Sequence, residues 1–165
     1  MKRAVFILCS TLAVAGTGIS QQPDVRVEKS ILQGPRVLQE QTQSAAIRNY
    51  LQAWESLAKA FDQNNAGALE SDFTGTAKDR LSETIKQQAA QGIRTRYQDK
   101  SHDIQIVFYS PEGLSIELTD NVEYDLQVLS QEKVQTTQHI RARFIAVLTP
   151  AEVRWRVRLL QAQSE

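Results

Sequence analysis

The chain has few of the residues around which chemistry is usually built. Its 165 residues include one cysteine, Cys9, and two histidines, His102 and His139. Cys9 lies in a leader-like segment, so the rest of the chain can form no disulfide, no thiolate nucleophile and no cysteine metal site. The histidines fall on different expected elements with no partner at ligand spacing, which leaves no candidate metal site. The 7 glycines form no phosphate loop, and no Gly-x-Ser-x-Gly elbow occurs. No cofactor is therefore expected. An excess charge is lacking too. The 19 Lys and Arg balance the 19 Asp and Glu, and loss of Lys2 and Arg3 with the leader would leave −2. That balance gives no general attraction to nucleic acid or to a membrane surface.

Long apolar runs are also missing, except at the start. Lys2 and Arg3 precede the apolar run Ala4 to Leu12, and Ala13-Val14-Ala15 offers a small-x-small cleavage site, with a second possible cut after Ser20. Residues 1–20 thus read as a secretory signal peptide, which implies a secreted or periplasmic protein. The alternative is an uncleaved inner-membrane anchor over residues 4–19, short of the roughly 20 residues a spanning helix needs. Only in that case would the protein be tied to a membrane. A lipid anchor on Cys9 is not expected, because Phe6-Ile7-Leu8 lacks the small residue that should precede it and the cysteine comes too early. A domain without disulfides must be held by its core, and about 145 residues suffice to bury most of their unfolded surface.

What the chain does have is pattern. Residues 21–43, broken by Gly34-Pro35 and glutamine-rich at Gln39 to Gln43, read as a tether or linker. From Ala45 to Asn64, the residues Ile47, Tyr50, Leu51, Trp54, Leu57, Ala58 and Phe61 fall on one helical stripe. Thr42 or Ser44 can cap that helix. A brief second helix carries Leu69 and Phe73. A third carries Ala77, Leu81, Ile85 and Ala89, opened by Thr76 with Asp79 and ended by Gly92.

Past Gly92 the period changes from 3.6 to 2. A weak strand over Ile93 to Gln98 leads to an expected turn at Ser101-His102-Asp103, then to Ile104, Ile106 and Phe108 in alternation. Ser110 to Gly113 turns the chain. The next strand carries Leu114, Ile116, Leu118, Val122, Tyr124, Leu126 and Val128 on one parity. Two more inward sets come after it, Ile140 to Leu148 and Val153, Trp155, Val157 and Leu159. The expectation is an α+β domain over residues 44–163, with three N-terminal helices packed on a strongly curved antiparallel meander.

This order of elements resembles the nuclear transport factor 2-like, or SnoaL-like, cone fold. The likeness is carried by the Ala45 to Asn64 helix, the Ala-Leu-x-x-x-Phe turn at Ala68 to Phe73, and the hairpins from Ile104 to Leu159. The resemblance implies the fold more than a function, since the superfold hosts isomerases, dehydratases, tethers and scaffolds. Within it, the Phe73 to Leu81 stretch is similar to the non-catalytic tether and scaffold branches.

Candidate chemistry narrows to one carboxylate. Ser101-His102-Asp103 spells the letters of a triad, but adjacent side chains cannot converge as a triad must. Strand parity places Asp120 among Leu118, Val122 and Tyr124, where burial would raise its pKa. It could then serve as an acid or base with Tyr124 or Tyr50. A bend at Asp120-Asn121 would instead leave it on a polar rim touching water. Tyr50, Trp54, Tyr124 and Trp155 read as core aromatics, or as the lining of a pocket if the cone stays open.

The remaining anomaly is basic. Arg141, Arg143, Arg154, Arg156 and Arg158 share outward parity on the last two strands, with Ile145, Val147 and Leu160 near them. A four-residue turn at Thr149 to Glu152 would set Arg143 opposite Arg158, an unfavourable pairing of about 0.2–1 kcal/mol. Glu123 is expected to relieve Arg141, and Asp125 to oppose His139. Arginine mixed with aliphatic residues is interface-like. The reading is an exported, non-enzymatic interaction module of the cell envelope that binds a protein partner or a second copy through this face. The alternative is an isomerase or dehydratase using Asp120.

Overall fold

The computed structural model describes residues 22–32, 34 and 36–163. The expected signal peptide or anchor over residues 1–20 lies outside the described residues. No helix among the described residues is long and apolar enough to cross a membrane.

The chain runs β1 (Asp24–Val27), α1 (Glu40–Asp62), a 3-10 turn (Ala66–Leu69), α2 (Gly75–Ala90), β2 (Ile93–Tyr109), β3 (Ile116–Ser130), β4 (Lys133–Pro150) and β5 (Trp155–Gln163). The fold is α+β, as the change of period implies, with two α-helices and one 3-10 turn in place of three helices. The turn is short because Gly67 and the Asn65 cap, whose Oδ1 accepts from the Gly67 amide at 3.0 Å, favour a tight bend over a longer helix.

α1 starts at Glu40, before the expected Thr42 or Ser44 cap, and Gln39 precedes it in extended backbone with no side-chain cap. The stripe holds. Ala46, Ile47, Tyr50, Ala53, Trp54, Leu57, Ala60 and Phe61 are buried. α2 buries Ala77, Ile85 and Gln88, and Ala89 is exposed. Gly92 closes it at φ +68°, a left-handed value that a side chain would strain.

The strands form one sheet in the order β1-β2-β3-β4-β5. β2 to β5 are the expected antiparallel meander. β1 is a correction. The segment expected to be a tether joins the sheet parallel to β2, Asp24 opposite Ser101 through Val27 opposite Ile104. Ile31 continues the contact, its amide donating to the Ile106 carbonyl at 3.0 Å.

Alternation is interrupted by single-residue bulges at Lys100, Val107, Gln135 and Arg158. Each flips the parity of the residues beyond it. The Val107 bulge sets Phe108 opposite the outward Glu117 and turns Tyr109 inward. The Arg158 bulge keeps Val157 buried and brings Leu160, rather than Leu159, against the core. Leu114 and Val153, expected inside, are 61% and 86% exposed because they lie in the turns and not in the strands.

The concave face of the sheet is filled. Trp54 lies edge-on to Phe144 at 5.2 Å and to His102 at 5.4 Å between ring centroids, and also meets Tyr50 and Tyr124. These aromatics are core.

Candidate functional site

Two places stand out, one inside the cone and one on its outer face. Inside, β3 runs without a bulge through Asp120, so Leu118, Asp120 and Val122 all point inward and Asp120 is fully buried. The rim expectation is therefore corrected: no bend occurs at Asp120-Asn121 to bring the carboxylate to water.

Every side of that carboxylate is occupied. Tyr50 on α1 donates its hydroxyl to Oδ2 at 3.0 Å, His102 Nδ1 meets Oδ2 at 2.6 Å, and the Asp103 amide donates to Oδ1 at 3.0 Å. The other face of the imidazole, Nε2, lies 3.2 Å from Asp99 Oδ2. Of the two tyrosines expected near Asp120, Tyr50 touches it. Tyr124 packs against Trp54 and Tyr97.

The electrostatics are those of a closed charge cluster. Burial disfavours an imidazolium at His102, but hydrogen bonds to Asp120 and Asp99 outweigh it and raise the pKa to about 9. At neutral pH His102 is therefore a cation, and it lies between Asp120 and Asp99. Burial, reinforced by the charge of Asp120, pushes the Tyr50 phenol well above its usual value. Tyr50 is thus a fixed donor.

Sequence reasoning missed His102 because Ser101 and Asp103 are turn formers. The signal was present. His102, Ile104 and Ile106 share one parity and are all buried, in the middle of a 17-residue strand. Among the described residues, no group of carboxylates, histidines and cysteines has a metal-holding arrangement.

On the outer face the register aligns a polar row across all five strands: Arg26, Asp103, Asn121, Arg143 and Gln163. With Glu123 and Arg141 these residues line an open groove of about 770 Å³. The next rows carry apolar side chains, Ile145 between Thr119 and Gln161, then Phe108, Val147 and Leu159 around Glu117.

Four of the five arginines divide into two groups, and Arg158, exposed at its bulge, joins neither. Arg141 pairs with Glu123 at 3.4 Å, and His139 lies opposite Asp125 at 2.9 Å, both as expected. Arg143 is exposed beside Ile145. The expected Arg143–Arg158 opposition does not occur: the wider turn and the Arg158 bulge set Arg143 opposite Gln163 and Arg156 opposite Thr149. Arg154 pairs with the buried Asp72 at 2.9 Å. Arg156 donates to the Glu70 and Phe73 carbonyls. Arg154 and Arg156 hold the segment before α2 along the edge of β5, where Phe73 bridges Val157.

No family model and no curated protein sequence matches this chain. Solved structures do match it. The intermembrane-space region of the chloroplast protein ARC6 overlays with a TM-score of 0.65 at 12% identity, covering 79% of this chain and 100% of that one. Aln2 from a Streptomyces species overlays at 0.50 and 10% identity, over 78% of this chain and 93% of its own. A Novosphingobium aromaticivorans protein provisionally assigned as a scytalone dehydratase gives 0.51 at 10%, over 76% and 89%. At these identities the likeness concerns the fold. Two helices over a curled meander, matched along nearly the whole of each of these proteins, give this chain the nuclear transport factor 2-like, or SnoaL-like, cone fold.

Proposed function

We propose that this domain is an exported, non-enzymatic interaction module of the cell envelope, binding a protein partner or a second copy through its outer sheet face. The observation that carries the proposal is the juxtaposition of Arg143 with Ile145 and Val147 on a face that neither described helix covers. Folding needs neither an exposed arginine nor half-exposed aliphatic side chains in that row. A partner bringing carboxylates and apolar groups would give Arg143 a charge-assisted bond and remove the aliphatic residues from water.

The alternative, an isomerase or dehydratase using Asp120 with Tyr50, has less support. Asp120 has no exposed surface, and both its oxygens are engaged within the chain. An acid or base must come within hydrogen-bond reach of its substrate.

The test is light scattering and affinity capture of wild type and Arg143→Glu at low and high salt. The variant should keep its melting temperature and lose association by about tenfold or more, and salt should weaken the wild-type contact over a screening length of about 8–10 Å. If wild type and variant associate equally at every salt, the face is only a solvated surface.

A further inference from the structure

A second surface lies on the opposite side of β1 and has its own logic. β1 is an edge strand: it pairs with β2 on one side, and among the described residues nothing pairs with the other. Its residues alternate. Asp24 and Arg26 face the outer groove, and Val25 and Val27 face α1. Yet β1 and α1 do not pack together, because a trench separates them.

The trench has two stretches of about 890 and 500 Å³ that share Leu51 and Glu55 and so run as one along the helix. Val25 and Val27 remain 37% and 48% exposed on one wall, with Ile47, Leu51 and Ala58 on the other. Exposed valines on an edge strand are a liability that proteins normally blunt with charge or proline at those positions. Here the polar residues stand instead on the rim.

We infer that this trench is a β-strand docking site, taking an extended segment of a protein partner as an added strand beside β1. The backbone groups on the free edge of β1 select extended backbone, since only a strand meets donors and acceptors at that spacing. Side chains of an added strand alternate, so every second one enters the trench, whose Val27 stretch is mainly apolar. That calls for a segment with apolar residues at every second position.

The rim charges set its polarity. Asp99 is held by His102 and Lys100 by Asp125 at 2.8 Å, so the free charges among the described residues are Arg48, at the Val27 end, and Glu55, which both stretches share and which lies on the Val25 side of Arg48. The fitting partner segment carries a cationic residue at the Val25 end and an anionic one at the Val27 end. This surface is separate from the outer face, and either proposal can fail without the other.

The probe is a short synthetic peptide alternating valine with threonine, lysine at one end and aspartate at the other, read by fluorescence polarisation. Its control carries proline at one threonine and at a neighbouring valine, which removes a backbone donor on each edge of the strand, whichever edge meets β1. Binding should fall at least about tenfold for the proline control, for Val27→Asp and for Leu51→Asn, and should be unchanged for Arg143→Glu. Amide hydrogen exchange at Val25 and Val27, whose N–H groups point to the free edge, should slow when the peptide binds. The inference is overturned if the peptide does not bind, or if the proline control binds equally. It is overturned too if those amides are already protected without peptide, by the chain's own N-terminal segment or, with a dependence on protein concentration, by a second copy.

Discussion

His102 and Asp120 are each placed by a single rule, the two-residue period of a strand, and each is retained by the other. Removing one partner from a buried ion pair leaves an uncompensated charge, which costs about 3–5 kcal/mol. Asp120→Asn should therefore destabilise strongly, where an exposed rim position would tolerate it, and a chemical denaturation curve decides between them. The pH dependence has a definite sign. The pKa of His102 is raised from 6.5 to about 9 in the folded state. Its contribution is therefore fully present below pH 6.5 and is lost as pH rises through about 9. The loss amounts to about 3 kcal/mol, since each tenfold gain in proton affinity is worth about 1.4 kcal/mol. Wild type should melt at a lower temperature at pH 9.5 than at pH 6, and His102→Gln should flatten that difference. A flat wild-type profile contradicts the charged cluster. The inward position of Asp120 was legible in the sequence because nothing interrupts alternation from Leu118 to Tyr124. The partner was legible only in retrospect, since Asp99, Ser101 and Asp103 look like a turn until the Lys100 bulge is known.

At the scale of elements, amphipathic periods were readable and their interruptions were not. The α1 stripe and the inward set of β4 stand as expected, because each is a long unbroken pattern. Bulges leave no such mark. One extra residue at Arg158 and a longer turn before β5 shift the β4–β5 register, which removes the expected arginine opposition and gives Arg156 a different task. From alternation alone, reversing Arg156 would relieve repulsion and leave the fold intact. From its bonds to the Glu70 and Phe73 carbonyls, Arg156→Glu should cost about 1–3 kcal/mol by stranding those acceptors. It should also speed hydrogen exchange at Thr74, whose amide donates to the Val157 carbonyl at 2.9 Å. Unchanged stability in the variant would return Arg156 to the solvated surface. The β1 strand was hidden for a different reason: four residues are too few for a period to register, and the parallel partner lies more than 70 positions away.

For the whole molecule, the cone is packed with its own aromatics and both oxygens of Asp120 are engaged, although Asp99 Oδ1 and Trp54 Nε1 are buried without a partner, and the outer rows of the sheet leave arginine and aliphatic side chains in water. Asp120, the one carboxylate singled out for chemistry, is enclosed in that interior. An outer face of arginine and aliphatic residues has no use for the isolated fold. Fold class was legible because element order survives errors of register. Function was not, because the outer rows are assembled from strands far apart in sequence. An interaction module must have its outer face covered in its native setting, and that cover can be measured. The sequence has one cysteine, Cys9, upstream of the domain, so single thiols can be introduced cleanly. Maleimide labelling of Ile145→Cys is compared in intact envelopes and in the purified domain, with Gln91→Cys at the exposed end of α2 as control. Ile145→Cys should label readily when purified and be protected in the envelope, while Gln91→Cys labels equally in both. Equal labelling of Ile145→Cys in both settings would contradict a covered face.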